Sequence, residues 1–135
     1  MERLFVDTSA WFAYANRRDP AHSSVRKVLH AFEGRLVTSN YVFDESATLC
    51  SYRLGHAIAA KIGDTLRDTD VVDIVRITTD DEHAAWRLFL ARADKSYSFT
   101  DCTSFVLLRR LRIDAVAALD ADFKQEGFRS LPVAG

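Results

Sequence analysis

The sequence predicts an α/β protein of three layers, with a mainly parallel central sheet covered by helices on both faces. Three observations carry this. Short apolar segments rich in β-branched residues alternate with helical patterns along the whole chain. The first of them, RLFVD at 3–7, is apolar without polar alternation, as a strand buried on both faces should be. Cap and turn residues punctuate nearly every junction, and no repeat, low-complexity stretch or linker divides the chain. A single domain over 1–135 is expected.

The elements follow in order. Strand 3–7 delivers Asp7 at its carboxyl end, and Thr8 and Ser9 offer an N-cap for a helix through Trp11, Phe12 and Tyr14. Asp19 and Pro20 break it. His22, Val25, Val28, Leu29 and Phe32 then fall at helical spacing up to Gly34, a predicted C-cap. Leu36 and Val37 make a brief strand, and Thr38, Ser39 and Asn40 start a helix over 41–54 that Gly55 closes. The next helix spans 56–67, with Ile58, Ile62 and Leu66 on its apolar face. Residues 71–77 read as a strand, and 79–92 as a helix with Ala84, Leu88 and Ala91 inward. A polar, aromatic loop at 96–100 leads into a helix over 101–111, and strand 115–119 ends at Asp120. A short helix stopped by Gly127 and an edge strand at 129–131 complete the chain.

Composition narrows the function classes. Apolar residues are 48% and charged residues 27%, which fits an ordinary globular domain. No apolar run nears the roughly 18 residues of a membrane span, so a cytoplasmic protein is expected. The cysteines, Cys50 and Cys102, sit in apolar helical patterns without CxxC or Cys/His spacing; free thiols are expected, not zinc. A net charge of −1 excludes a broadly basic nucleic-acid coat but not a nucleic-acid enzyme, because acids concentrated at one site leave the remaining surface more basic. The arginines, among them Arg17, Arg18, Arg53, Arg109, Arg110 and Arg112, suit bidentate phosphate contacts or plain solvated helix faces.

The most informative residues are four scattered acids. Asp7 and Asp120 end strands, Asp101 opens a helix, and Glu45 lies one turn inside its helix. An open parallel sheet gathers such positions outside the carboxyl ends of its strands. Burying several carboxylates together is costly unless a cation offsets their charge, and an all-oxygen donor set selects a hard ion such as Mg2+ or Mn2+. Each acid also has a structural role open to it. Asp101 follows Ser98 as in a capping box, Asp120 could cap the short helix after it, and Glu45 could face solvent beside Asp44. Asp7 is the hardest to explain this way, because a strand end at the sheet edge is a functional position in this architecture, and jointly the four acids point to one metal site.

The segments FVDTSAWFA at 5–13, TSNYVFDESATL at 38–49, YSFTDCTSF at 97–105 and ALDADF at 118–123 resemble the PIN-domain ribonucleases, in particular the VapC-like toxins of toxin–antitoxin pairs. RLGH at 53–56 and GFRSLP at 127–132 extend the match nearly end to end. The resemblance implies a PIN-like fold and Mg2+- or Mn2+-dependent hydrolysis of RNA by one or two ions, leaving 5′-phosphate and 3′-hydroxyl ends. It implies that Asp7, Glu45, Asp101 and Asp120 are the metal-binding acids, with Thr8, Ser9 and Thr100 supporting them. Asp122 stands where relatives often carry histidine, so the late ligand is Asp120 or Asp122. A homodimer and an inhibitory antitoxin are the implied partners. Arg17, Arg18 and Arg53 are the candidates for phosphate contacts.

Other readings fit less well. A haloacid-dehalogenase-type phosphatase needs a second Asp two residues after the first, where Ser9 stands, and a phospho-receiver's acidic pair and late lysine are missing. The four histidines lie in separate helical segments with no serine or cysteine motif beside them. A PIN-like domain that binds RNA or protein without cutting is the competitor from another class.

Overall fold

Leu4, Phe5 and Val6 have no exposed surface, which places β1 (Arg3–Val6) at the centre of the sheet. The computed structural model describes residues 2–132. After β1 come α1 (Thr8–Ala15), α2 (His22–Ala31), β2 (Arg35–Ser39), α3 (Asn40–Leu54), α4 (His56–Leu66) and β3 (Val72–Val75). Next are α5 (Thr79–Ala91), α6 (Phe99–Leu111), β4 (Ala115–Ala117), α7 (Asp122–Gln125) and β5 (Arg129–Leu131). The strand order is β3-β2-β1-β4-β5 and every pairing is parallel. The chain thus runs outward from β1 to one edge and returns to the other side of β1. Right-handed crossovers in these two directions put helices on opposite faces of the sheet, the three-layer arrangement expected.

The order change beside β1 opens a crevice at the carboxyl edge between β1 and β4. Two buried contacts fix that edge. Thr38 Oγ1 donates to the Val6 carbonyl at 3.0 Å and accepts from the Trp11 indole at 3.4 Å, so β1, β2 and α1 are tied one residue before Asp7. On the other face Phe105 meets Tyr97, Phe123 and Phe128 at ring distances of 4.9, 5.0 and 5.9 Å, and Phe123 meets Phe5. This aromatic floor joins the middle of α6 and the start of α7 to β1. Such pairs contribute about 0.5–1.5 kcal/mol each beyond their burial.

Several expectations are corrected. Asp7 itself, not Thr8 or Ser9, caps α1: its backbone is extended and its side chain accepts from Ser9 N. α2 ends at Ala31 with Phe32 as its C-cap, two residues before Gly34. Gly34 instead serves a close approach, because a Cβ there would stand 2.3 Å from the Glu2 carbonyl oxygen, which Arg35 N binds at 2.9 Å. β3 stops at Val75 and β4 at Ala117, so Asp120 lies in the connection after its strand. α6 begins at Phe99, which draws the end of the expected loop into helix. Ala91 is exposed and Ala85 buried in its place, while Ile58 stands 37% exposed at the rim of its helix. Both cysteines are buried and free, as expected. Among the described residues no helix is long and apolar enough to cross a membrane.

Gly34→Ala should lower stability by about 1–3 kcal/mol, since the opposing atom is backbone and must move. Urea unfolding measures it; an unchanged midpoint would show that the approach is not required.

Candidate active site

Asp7 lies at the end of the central strand, 3% exposed. Its backbone still belongs to the sheet, Asp7 N donating to Ala117 O at 3.0 Å. Ser9 holds one side-chain oxygen: its hydroxyl donates to Asp7 Oδ2 at 3.0 Å and accepts from Leu119 N at 3.0 Å, linking the acid to the segment that leads to Asp120. The other oxygen, Oδ1, is buried with no partner among the described residues. Among the described residues it is the one carboxylate oxygen so placed.

The other acids are held by equally local devices. Ser98 and Asp101 form a reciprocal capping box, each side chain accepting from the other's backbone N–H at 3.0 Å. The capping role open to Asp101 is therefore realised, and it orients the carboxylate at this edge. Thr8 Oγ1 donates to Glu45 Oε1 at 2.5 Å, so the first turn of α1 aims the glutamate of α3. Glu45 is half-buried while its neighbour Asp44 is exposed. Asp120 Oδ1 accepts from Asp122 N at 3.1 Å; the cap of α7 is Ala121, which makes no side-chain bond. An open cleft of about 640 Å³ beside these groups is lined by Tyr41, Glu45, Tyr52 and Thr100 among others.

Their electrostatics link the acids. Burial pushes the Asp7 carboxyl up to about 7, and the charges of Asp120 and Asp101 push the same way against the Ser9 bonds. Asp101 is lifted to about 6, first by burial and then by Asp120 and Asp122, against the capping bonds of Ser98. Asp120 is also raised, by burial of its carboxyl although the residue as a whole is exposed, and by Asp122 and Glu45. Asp7, Asp101, Asp120 and Glu45 are thus one coupled group with Asp120 at its centre. Asp122 adds to the shifts of Asp101 and Asp120, while the largest charge effects on Asp7 come from Asp120 and Asp101.

Among the described residues no cation is paired with this group. Asp81 and Glu126, by contrast, are paired, with Arg110 at 2.8 Å and with Arg92 and Arg109 at 2.6 and 2.9 Å, and both are lowered by those arginines. Among the described residues no three Asp, Glu, His or Cys side chains are drawn into a ready metal cage. What is present is an acidic, all-oxygen donor set with an orphaned buried oxygen, and that chemistry fits a hard divalent cation. Arg17, Arg18 and Arg53 do not join it; they line a separate cleft with His22 and His30.

A parallel sheet with carboxylates gathered at the β1/β4 crevice defines a class, and the chain belongs to the PIN domain family, whose model matches residues 4–128. Within it, the chain is 36% identical over 125 residues to the 23S rRNA-specific endonuclease VapC20 of Mycobacterium tuberculosis, covering 93% of this chain and 95% of the relative. It is 31% identical over 117 residues to a VapC ribonuclease of Archaeoglobus fulgidus, covering 83% and 74%. The crystal structure of Mycobacterium tuberculosis VapC20, described as a sarcin-ricin loop cleaving toxin, superposes with a TM-score of 0.88 at 34% identity over 93% of this chain and 95% of that one. A toxin–antitoxin complex from Klebsiella pneumoniae shares the fold at a TM-score of 0.61 and 13% identity, with 87% of each chain covered.

The acids set a pH dependence. Asp7 and Asp101 have folded values above the 3.8 of an unfolded aspartate, so the folded chain keeps protons that the unfolded chain has released. Their contribution is therefore full below about pH 4 and is lost as pH rises through about 6 to 7. In EDTA, Asp7→Asn should raise stability at pH 7.5 by on the order of 2–4 kcal/mol, since each pH unit between the folded and unfolded values is worth about 1.4 kcal/mol, and should flatten the decline from pH 5 to 7.5. Denaturant midpoints across that range test it, and an equally steep decline in the variant would refute it.

Proposed function

We propose that this chain is a metal-dependent endoribonuclease and the toxin of a toxin–antitoxin pair, residues 1–135 acting as one domain. The observation that carries this is the buried, unpartnered Asp7 Oδ1 at the switch point of the sheet, within the field of Asp101 and Asp120. Membership of the PIN family and the activities for which the 36% and 31% identical relatives are named support it.

Asp7, Asp101 and Asp120 would hold one or two Mg2+ or Mn2+ ions, with Glu45 as a further ligand or as the group that orients the attacking water. When bound, such ions acidify water and stabilise negative charge building on the phosphate and the leaving oxygen. The chain's own work is positioning. Ser9 leaves one Asp7 oxygen free by fixing the other, Thr8 fixes Glu45, and Ser98 fixes Asp101. Thr100 lines the cleft beside Glu45, where a substrate phosphate could approach. The electrostatic coupling favours Asp120 over Asp122 as the late ligand. No protein nucleophile is needed, and products with 5′-phosphate and 3′-hydroxyl ends are expected. A cytoplasmic setting, a homodimer and a protein antitoxin belong to the same proposal.

The substrate to begin with is 23S rRNA, the RNA named for the 36% identical relative. Cleavage should require Mg2+ or Mn2+ and stop in EDTA. Asp7→Asn and Asp101→Asn should each lower kcat by about 10²–10³, the scale for removing a group that stabilises transition-state charge. Undiminished cleavage by both variants would overturn the assignment. RNA binding with neither cleavage nor Mn2+ uptake in calorimetry would identify a non-cutting PIN-like domain instead.

Asp120→Asn should cost more activity than Asp122→Asn and weaken Mn2+ binding more. The reverse order would move the late ligand to Asp122.

A further inference from the structure

The formal charge of the chain is −1, yet one cleft is strongly basic. It has a volume of about 990 Å³ and lies among the end of α1, α2, the end of α3 and α4. Arg17, Arg18, Arg26, Arg53 and Lys61 line it, and among the described residues no aspartate or glutamate does. All five are exposed, and none belongs to an ion pair among the described residues. By contrast Arg35, Arg92, Arg109 and Arg110 are all paired. The two histidines of the lining are engaged within the protein, His22 Nδ1 with Ala13 O at 2.8 Å and His30 Nε2 with the Tyr14 hydroxyl at 3.0 Å. Five free cations converging on one concavity repel each other, and that repulsion is relieved when the concavity holds a polyanion.

The fold relates this cleft to the acids. α1 begins at Thr8 beside Glu45 and ends at Tyr14 and Ala15 in the basic cleft. α3 carries Glu45 near its start and Arg53 near its end. Eight residues at 1.5 Å per residue separate those two positions by about 12 Å along the helix, the reach of roughly two to four nucleotides of a strand.

We propose that this cleft is the subsite for the phosphate backbone of the RNA strand flanking the scissile bond, engaging phosphates a few nucleotides from the cut. The proposal rests on the ribonuclease reading given above. Arginine forks bind phosphate oxygens bidentately, so the contacts position the strand without reading its sequence. Arg26 and Lys61 belong to this subsite with Arg17, Arg18 and Arg53.

The test is fluorescence anisotropy of a labelled 23S rRNA stem-loop fragment in EDTA, where binding is measured without cleavage, for the wild type and for Arg26→Gln/Lys61→Gln. Both side chains are exposed, and circular dichroism checks that the variant folds. Loss of two phosphate contacts should reduce the slope of log affinity against log salt by about 1.4, at ~0.7 per contact with a single strand, and weaken binding about 10-fold or more at 0.1 M salt. In Mn2+ the double variant should show a higher KM. Asp7→Asn, tested in parallel, should lose cleavage while keeping the full salt slope. Unchanged affinity and slope in the double variant would overturn the proposal. So would loss of binding to a polyglutamate peptide with RNA affinity intact, which would make the cleft a site for an acidic protein segment. If the double variant weakens RNA binding and lowers the slope as stated but the wild type never cuts RNA, the cleft stands as a phosphate-backbone site and the ribonuclease reading falls, taking with it only the placement beside a scissile bond.

Discussion

The structure depends on a carboxylate placed where water cannot reach it. Asp7 stands at the end of the most buried strand, and an isolated carboxylate there is unfavourable by several kcal/mol unless its oxygens are satisfied or it keeps its proton. Ser9 satisfies one oxygen and leaves the other bare. The neighbouring acids add repulsion rather than relief. This edge is consequently less stable than a fold optimised for itself would make it, as expected where strain or charge is kept for chemistry.

The surrounding contacts make that arrangement tolerable. Three of the four acids are aimed by a serine or threonine close to them in space: the Ser9 hydroxyl donates to Asp7, the Thr8 hydroxyl to Glu45, and the Ser98 backbone N–H to Asp101. For Asp7 and Asp101 these bonds favour the ionised form, yet burial outweighs them. Beneath, Thr38 and Trp11 clamp the end of β1, and the phenylalanine floor carries α6 and α7. Glu126, held by Arg92 and Arg109, braces the far ends of α5 and α6 without adding charge to the edge. Acids that serve the framework are neutralised by arginine, and acids at the crevice are not.

What is legible in the sequence follows from the range of the interaction concerned. The alternation of strands and helices, the Ser98–Asp101 box and the gathering of Asp7, Glu45, Asp101 and Asp120 rest on local patterns plus one topological rule, so they can be read directly. Gly34 cannot. Its position after an amphipathic helix looks like a C-cap, and only the approach of Glu2, more than thirty residues earlier, shows what excludes a side chain. The cap of α1 falls one residue before Thr8 and Ser9, both good caps by residue type, because Asp7 has the extended backbone of the strand end. Arg17, Arg18 and Arg53 stand out from the sequence as candidate phosphate contacts. Arg26 and Lys61 do not, because their membership depends on how α2 and α4 pack against α1 and α3, which no spacing reveals.

The near-zero net charge conceals a separation of charge across the molecule. Helices α1 and α3 connect an uncompensated acidic edge to an uncompensated basic cleft, and the two features make physical sense only together. The acids alone would repel a nucleic acid, whose backbone carries the same sign. The basic cleft alone would hold a strand without acting on it. A strand gripped at the basic end can present a phosphate at the acidic end, where divalent ions would reverse the local sign. On the proposed reading the length of two helices would set how far the grip lies from the cut, so that spacing would be a property of the fold and not of any single residue.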